Sequence, residues 1–252
     1  MRGLKDKRFI IAGGATGMGA ALALRLAAEG AHVLVGDINR AGLEALAASN
    51  GAIRTEPFDL RDNASIERLV DRAAVDFGGI DGVAITGADL SQETMGADRP
   101  VTDFSPEVWE HVLRVNTIGH ALVMKAAIPH LKAAGGGSIV SVSSGAAHEG
   151  GDWIPAYGAS KAALHALIRH VARLAGRHWI RCNGIAPGLV ETAGAMGNVS
   201  DELRASILAS QPLQRLGAAE DMASAMAFLL SDESRWITGQ VIAINGGSAF
   251  RD

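Results

Sequence analysis

Residues 8–37 decide the fold, and they comprise Arg8-Phe-Ile-Ile-Ala12, Gly13-Gly-Ala-Thr-Gly17-Met-Gly19, an Ala- and Leu-rich stretch to about Glu29, and His32-Val-Leu-Val-Gly-Asp37. The two apolar runs are typical of buried strands, and the stretch between them is typical of a helix. Together they predict a βαβ unit. Glycines at its first turn allow close approach of a pyrophosphate, and the helix N-terminus offers free N–H groups. This stretch therefore predicts a dinucleotide site.

Strand and helix patterns continue to alternate along the rest of the chain. Further strands are predicted at residues 79–85, 138–142, 179–185 and 240–244, and helices at 39–48, 64–77, 106–131, 156–177, 200–211 and 219–230. Such alternation is typical of a parallel sheet covered on both faces. We predict an α/β fold: a single doubly wound Rossmann-type domain over residues 1–252 with a mostly parallel seven-stranded sheet. Its cofactor half would run to about residue 135, and its catalytic and substrate half from about 136 to 252.

Composition limits the function classes. The 252 residues are 48% hydrophobic, which is enough for one sizeable core. The net charge of −4, with mixed signs, gives no nucleic-acid footprint. No apolar run approaches the roughly 18 residues of a membrane span, and no signal peptide opens the sequence. The histidines lack ligand spacing and Cys182 is the single cysteine, so neither a metal nor a disulfide is expected. We expect a cytoplasmic protein without nucleic-acid or membrane partners.

The stretch Tyr157-Gly-Ala-Ser-Lys161 carries the first catalytic signal. On a helix, positions i and i+4 share one face, so the phenol and the ammonium can approach one site together. A free tyrosine has a pKa of about 10, and a nearby ammonium lowers it, which makes proton exchange with an alcohol feasible. These residues taken by themselves equally fit an amphipathic helix with an incidental tyrosine and a solvated lysine.

A serine pair, Ser143-Ser144, ends the predicted strand at 138–142, thirteen residues before Tyr157. A serine in this place can hydrogen-bond a substrate oxygen beside the phenol. It can also belong to an ordinary turn after a strand, where serines are common. The combination with Tyr157 and Lys161 is much less common than its parts.

These motifs together resemble the short-chain dehydrogenase/reductase family, over essentially the whole chain. The glycine loop has the family's Gly-x-x-x-Gly-x-Gly spacing, and the family's serine-to-tyrosine spacing points to Ser144 rather than Ser143. The resemblance implies that Tyr157 exchanges the proton, while Lys161 lowers its pKa and holds the ribose. It implies that Ser144 orients the carbonyl oxygen. Asn116 would support a proton relay through a helix kink and a bound water, although a polar surface position would also explain this residue.

The resemblance also implies the contacts of an NAD cofactor. Asp37, at the end of the second strand, would bind the ribose hydroxyls, or it would cap the helix at 39–48. Asp59 would contact adenine, or it would be only a loop residue. The Val190 backbone and the Thr192 hydroxyl would meet the carboxamide. The full set is Gly13, Thr16, Gly17, Met18, Gly19, Asp37, Asp59, Leu60, Gly87, Tyr157, Lys161, Pro187, Gly188, Val190 and Thr192. Because NADP adds a phosphate beside the Asp37 carboxylate, NAD is the expected cofactor.

Two positions depart from the family pattern. Ala12 stands where the family usually has threonine, and Ile85-Thr86-Gly87-Ala88 stands where it usually has Asn-Asn-Ala-Gly. The small residues still permit close backbone approach to a cofactor. The hydrogen bonds of the asparagine side chains are expected to be lost, which would affect cofactor affinity and the packing at the end of the fourth strand.

The sequence therefore predicts an NAD-dependent short-chain alcohol dehydrogenase or carbonyl reductase. An enoyl reductase is a weaker alternative, because those relatives place six residues rather than three between tyrosine and lysine. A non-catalytic nucleotide sensor on the same fold is the alternative outside enzymes. The substrate pocket is expected at residues 145–155, which include His148 and Trp153, at the loop after Ala88, and at 193–213.

Assembly is predicted from the helix at 156–177. Its residues 162–175 carry small or apolar side chains on more than one face, although a helix on a sheet needs a single apolar stripe. A fully buried helix within one chain would show the same pattern. The resemblance implies that this helix and the one with Asn116 pack against their copies, which would give a homotetramer.

Overall fold

The computed structural model describes residues 1–149 and 153–250, and it contains a seven-stranded sheet in the order β3-β2-β1-β4-β5-β6-β7. The strands are β1 (Arg8–Ala12), β2 (His32–Asp37), β3 (Ile53–Pro57), β4 (Gly82–Ile85), β5 (Gly137–Val142), β6 (Ile180–Pro187) and β7 (Val241–Ile244). Each of the six pairings is parallel, so the sheet is parallel throughout rather than mostly parallel. The strand order reverses between β1 and β4, which is where doubly wound sheets bind ligands.

Helices cover both faces of the sheet. In sequence order, the α-helices of the described residues are α1 (Gly17–Ala28), α2 (Arg40–Ser49), α3 (Asn63–Phe77), α4 (Gln92–Ala97), α5 (Pro106–Leu113), α6 (His120–Ala133), α7 (Pro155–Ala175), α8 (Ala193–Met196), α9 (Asp201–Ser210) and α10 (Ala219–Leu230). A π-helical turn, Arg114–Gly119, joins α5 to α6. The α/β class and the helices on both faces, predicted from the sequence, are confirmed.

Two apolar cores follow from the alternation of side chains along the strands. On β1, Phe9 and Ile11 pack on one face with α1, α2 and α10. Ile10 and Ala12 pack on the other face with α3, α6 and α7. Because both faces are buried, the strands read as continuous apolar runs rather than as alternating ones. In the part of the chain that is described, no helix is both long and apolar enough to span a bilayer.

Several element boundaries differ from the sequence prediction by a few residues, and three of the differences have a local physical reason. Strand β4 begins at Gly82 rather than at 79, because Gly78 and Gly79 have positive φ angles of 73° and 142° and form a turn. Strand β6 begins at Ile180, because Trp179 has a φ of 60° after a short 3₁₀ turn. The helix predicted as continuous over 106–131 is divided by the π-helical turn. The physical reason for this division lies in the bonds of Asn116, described below.

Candidate active site

A cleft of about 580 Å³ lies at the carboxyl ends of the strands, where the strand order reverses. Its walls come from the loops after β1, β2, β3, β4, β5 and β6 and from the start of α7. Every predicted cofactor residue lines this cleft, and so does Ser144. Of the four predicted catalytic residues, Asn116 does not line it. The structure therefore brings the glycine loop and the Ser-Tyr-Lys group into one cavity.

The glycine loop fits a bound pyrophosphate. Gly13 has a φ of 92°, and a Cβ placed on it would lie 2.2 Å from the Gly87 Cα. A Cβ on Gly19 would lie 2.6 Å from the Gly13 carbonyl oxygen. Helix α1 begins at Gly17, and the side chain of its N-cap residue Thr16 makes no capping bond. The first N–H groups of α1 thus face the cleft without a side-chain partner, as phosphate recognition at a helix N-terminus requires.

Asp37 ends β2 and connects it to the glycine loop. Its carboxylate accepts hydrogen bonds from the backbone N–H groups of Ala15 and Asn39, each at 2.9 Å. The side chain that caps α2 belongs to Asn39, which accepts a bond from the Gly42 N–H at 3.0 Å. The alternative role of Asp37 as the cap of this helix is therefore wrong. Its carboxylate lies at the wall of the cleft, where a ribose is expected.

Asp59 follows β3 at the wall of the cleft and is paired with Arg61. The guanidinium donates to both carboxylate oxygens at 2.8–3.1 Å, and these bonds hold the pKa of Asp59 below its usual value. Helix α3 is capped by Asp62, which accepts a bond from the Ala64 N–H. Both members of the Asp59–Arg61 pair line the cleft, a position that sequence reasoning missed for Arg61.

Tyr157 and Lys161 share one face of α7, as the spacing predicted. Lys161 is 1% exposed, its Nζ donates to the Val142 carbonyl at 2.9 Å, and this Nζ lies 5.7 Å from the centre of the Tyr157 ring. Burial lowers the pKa of Lys161 to about 7. Burial also raises the pKa of Tyr157, and its contact with the Ser144 hydroxyl opposes this only in part. The expected lowering of the tyrosine pKa by Lys161 is thus wrong for this structure, because desolvation of the phenolate dominates.

Both serines after β5 border the cleft, but their hydroxyl groups have different partners. Ser144 lines the cleft beside Tyr157. Ser143 is 2% exposed, donates to the Lys161 carbonyl at 3.1 Å and bonds the His165 Nε2 at 2.7 Å. Because His148 lies against the His165 ring, with ring centres 4.6 Å apart, it does not line the cleft, and its predicted place in the pocket is wrong. Residues 150–152 of the same predicted segment lie outside the described residues.

Asn116 is fully buried in the π-helical turn, so a surface position is wrong for it. Its Nδ2 donates to the Ser160 hydroxyl on α7, and its Oδ1 accepts from the Asp89 N–H, both at 3.2 Å. The Thr117 hydroxyl also donates to the Ser160 carbonyl, at 3.0 Å. These bonds tie the turn to α7 and to the loop after β4, and they hold the helix in its interrupted form. The interruption was expected from the family resemblance.

The end of β4 keeps polar links despite its unusual sequence. The Thr86 hydroxyl donates to the Gly13 carbonyl at 2.5 Å. The buried His120 contacts the Gly87 carbonyl through Nε2 at 2.9 Å and the Ser141 hydroxyl through Nδ1 at 2.8 Å. Since a carbonyl only accepts, Nε2 carries the proton and the serine donates to Nδ1. Burial, with a smaller contribution from Lys161, lowers the pKa of His120 to about 3, so the ring is neutral. The asparagine bonds are absent as expected, but Thr86 and His120 supply other polar links at this strand end.

The outer part of the cleft was only partly predicted. Its lining residues there are Ala88, Asp89, Leu90, Ser91, Met95, His111, Trp153, Ala193, Gly194, Ala195, Asn198 and Val199. The predicted residues 200–213 are not among them.

Asp89 and His111 form a hydrogen-bonded pair in the outer cleft, with 2.7 Å between the carboxylate oxygen and Nε2. Burial acts to raise the pKa of Asp89, but hydrogen bonds from Ser91, His111 and Thr94 outweigh burial and lower this pKa. His111 gave no sequence signal because it stands within an ordinary helical pattern.

Comparison with known proteins gives a consistent picture. A family model described as enoyl-(acyl carrier protein) reductase matches residues 13–249. The cis-4-hydroxycyclohexanecarboxylate dehydrogenase of Sinomonas cyclohexanicum is 35% identical over 244 residues, which cover 94% of each chain. The 7alpha-hydroxysteroid dehydrogenase of Clostridium sardiniense is 32% identical, and the match covers 99% of this chain and 96% of that relative.

Solved structures agree with the sequence relatives. The crystal structure of levodione reductase has a TM-score of 0.91 at 30% identity, and the match covers 98% of this chain and 99% of that chain. A short-chain type dehydrogenase/reductase from Mycobacterium ulcerans has a TM-score of 0.88 at 33% identity, with 97% and 90% of the two chains covered. With the family model over most of the chain and these full-length relatives, this protein belongs to the short-chain dehydrogenase/reductase family of oxidoreductases.

Proposed function

We propose that this protein uses NAD to interconvert a secondary alcohol and a ketone, with Tyr157 as the general acid and base. The observation that carries the proposal is the shared cleft: Tyr157, Ser144 and Lys161 line the same cavity as the glycine loop. A group that exchanges a proton is therefore available beside a site that fits a dinucleotide.

Each residue has a distinct part in the proposed reaction. The Ser144 hydroxyl donates a hydrogen bond to the substrate oxygen and keeps it next to the phenol. Tyr157 takes the hydroxyl proton during oxidation and returns it during reduction. Lys161 holds a ribose hydroxyl, and Asn116 fixes the turn through which the proton reaches solvent. When bound, NAD supplies the hydride acceptor, since that chemistry belongs to the nicotinamide.

The same cleft supports a division between adenosine and nicotinamide ends. Asp37, Asp59 and Leu60 would hold the adenosine, and the glycine loop would hold the pyrophosphate. The segment after β6 would meet the carboxamide, through the residues Pro187, Gly188, Val190 and Thr192. These assignments rest on the positions of the residues along one cavity wall.

We further infer that the substrate carries an alicyclic ring. Leu90, Met95, Trp153 and Val199 give the outer cleft apolar lining, which suits the hydrocarbon part of a substrate. Two relatives are named for a hydroxycyclohexanecarboxylate and a hydroxysteroid. An enoyl reduction is less well supported, although the matching family model bears that description, because three residues rather than six separate Tyr157 from Lys161.

The decisive experiment is turnover of NAD with a panel of alicyclic secondary alcohols, for the parent protein and for Tyr157→Phe. General acid–base help is worth on the order of 10²–10⁴-fold, so Tyr157→Phe should lose activity in at least that range. Tyr157→Phe should still bind NADH, as measured by NADH fluorescence, because the variant keeps the aromatic ring at this position. A parent that binds NADH without turning over any alcohol would support the nucleotide-sensor alternative. Retention of more than a tenth of the activity in Tyr157→Phe would refute the role of the phenol.

A further inference from the structure

Helix α7 begins without a capping side chain of its own. The residue at its N-cap is Ile154, which has φ 50° and ψ 49° and makes no side-chain capping bond. A β-branched residue in this left-handed region is uncommon and carries strain. The first N–H groups of a helix need an acceptor, and Tyr157 lies within the first turn, two residues after Pro155. The start of α7 therefore needs support from elsewhere in the chain.

Asp98 gives that support from a distant loop. One carboxylate oxygen accepts from the Ala156 N–H at 3.0 Å, and the other accepts from the Tyr157 N–H at 2.9 Å. These are the second and third helical positions, which an N-cap side chain normally serves. Asp98 is 5% exposed, and a buried carboxylate is tolerated where charge-assisted hydrogen bonds satisfy it. A residue 58 positions before Ala156 thus acts as the cap of α7.

The segment that ends at Asp98 also contacts Asn116, the buried residue of the π-helical turn. At the other end of this segment, the Asp89 N–H donates to Asn116 Oδ1 at 3.2 Å. Between them, Leu90 and Met95 line the outer cleft. The segment 89–98 therefore connects the backbone of Tyr157 with the side chain of Asn116 and forms part of the substrate wall.

We propose that Asp98 is a positioning residue that fixes the backbone of Tyr157 and so aims its phenol at the substrate oxygen. The proposal rests on the function proposed for Tyr157 and adds to it a residue that touches neither substrate nor cofactor. Catalytic groups must stay within about 0.5 Å of their productive geometry, and a displacement of about 1 Å can cost 10²-fold in rate.

The effect is expected in catalysis more than in folding. Helix α7 is 21 residues long, and Ser160, Leu164, Ile168 and Ala175 along it are buried, so most of the helix is held by packing. Loss of a cap acts on the first turn, because the unpaired N–H groups lie there. That turn contains Tyr157, and it starts from the strained Ile154. Without Asp98 the turn should relax, and the phenol would then leave its place.

The test compares Asp98→Ala and Asp98→Asn with a matched control, Asp221→Ala. Asp221 caps α10 by accepting from the Ala218 N–H at 2.8 Å, and it does not line the cleft. We expect kcat to fall at least tenfold in Asp98→Ala, while the Kd for NADH changes less than about threefold, because a small displacement of the phenol costs rate rather than cofactor contacts. In Asp98→Asn the amide oxygen can accept a hydrogen bond from one backbone N–H. The NH₂ group is itself a donor and cannot pair with the other N–H, so an intermediate kcat is expected. Asp221→Ala should lower the unfolding temperature and leave kcat unchanged.

The outcomes separate this inference from the proposed function. If Tyr157→Phe is inactive but Asp98→Ala keeps the parent kcat, the inference fails and the proposed function stands. If Asp98→Ala does not fold, the nearly isosteric Asp98→Asn decides by its kcat. An equal loss of kcat in Asp221→Ala would show a general effect of helix capping and would overturn the positioning role. Activity retained in Tyr157→Phe would remove both proposals.

Discussion

At the scale of single residues, Asp37 gives a basis for cofactor choice. A 2′-phosphate carries about −1.5 to −2 charges, and two unit charges 4 Å apart repel by about 4 kcal/mol at an effective dielectric near 20. Arg61 also lines the cleft, but its guanidinium is engaged by Asp59. Arg40, at the start of α2, is the other cation near Asp37 in sequence. The carboxylate of Asp37 should therefore dominate recognition of the ribose.

We predict that the catalytic efficiency with NAD exceeds that with NADP by at least about tenfold, which corresponds to about 1.4 kcal/mol. Asp37→Ala should weaken or invert this preference. Asp37→Asn is the matched control for structure, because its amide oxygen can still accept a backbone N–H while the negative charge is gone. Steady-state kinetics with both cofactors and one accepted alcohol gives the answer. Equal efficiencies in the parent would mean that Asp37 does not face the ribose.

Lys161 links the site to stability. Its amine titrates near 10.5 as a free group and near 7 in the folded protein, because burial disfavours its charge. Between these two values the unfolded chain holds a proton that the folded chain lacks. The contribution of Lys161 to stability without cofactor therefore rises with pH across this window and is lowest below about pH 7, where the buried amine is charged.

Replacement of this amine by an apolar side chain should stabilise the protein at low pH. We expect Lys161→Met to unfold at least about 2–4 °C higher than the parent at pH 6, since about 1 kcal/mol shifts Tm by this amount in chains of this size. The difference should shrink toward pH 10, and alcohol oxidation should be lost. Lys125→Met, at an exposed position, serves as the control. If Lys161→Met without cofactor unfolds at the same temperature as the parent at pH 6, the destabilising effect of the buried Lys161 charge is contradicted.

At the scale of elements, the parts with a repeating pattern could be predicted and the parts held by distant bonds could not. The β1–α1–β2 unit was predictable because apolar strands, a glycine loop and a helical period follow one another within residues 8–37. The glycines and the spacing from Ser144 to Lys161 then located the cleft. Strands β4 and β6 begin later than predicted, because residues with positive φ angles, including Trp179, end the preceding turns.

Other elements depend on partners that no local pattern shows. The π-helical turn is held by hydrogen bonds of Asn116 with Ser160 and with the Asp89 backbone. Both partners are far away in the sequence. The role of Asp98 at the start of α7 depends on a contact across 58 positions. His120 gave no sequence signal, since a histidine inside an apolar helix is usual in a core. Asp98 and His120 become visible only when the fold places them beside their partners, whereas Asn116 was indicated by the family resemblance.

At the scale of the whole molecule, several surfaces of the chain favour association. Ala159, Ala162 and Ala166 form an exposed row on α7, and their small side chains allow close approach of another helix. Strand β7 is an edge of the sheet and is only partly covered. Trp236, close to β7 in sequence, is 94% exposed, which is unusual for so large an apolar side chain.

We therefore predict a homotetramer with a mass about four times the 26.0 kDa of the chain. Ala166→Glu should lower the mass, because a charged side chain would be buried without a partner where two copies of α7 meet. Ala45→Glu, on the exposed side of α2, should leave the mass unchanged. Light scattering at micromolar concentration measures both. A monomeric parent would refute the assembly.

The links at the end of β4 constrain the order in which mutations could exchange this sequence for the common one. Ile85 is 0% exposed, and the nearby polar groups of Thr86, His120 and Ser141 already have partners. A lone Ile85→Asn would bury an amide without an acceptor or donor, at a cost of about 1–3 kcal/mol, and urea unfolding should show a lower midpoint. An unchanged midpoint would show that the amide finds partners unaided. A lower midpoint would make this exchange costly as a single step, so we expect Ile85→Asn to need compensating changes at polar positions around the end of β4.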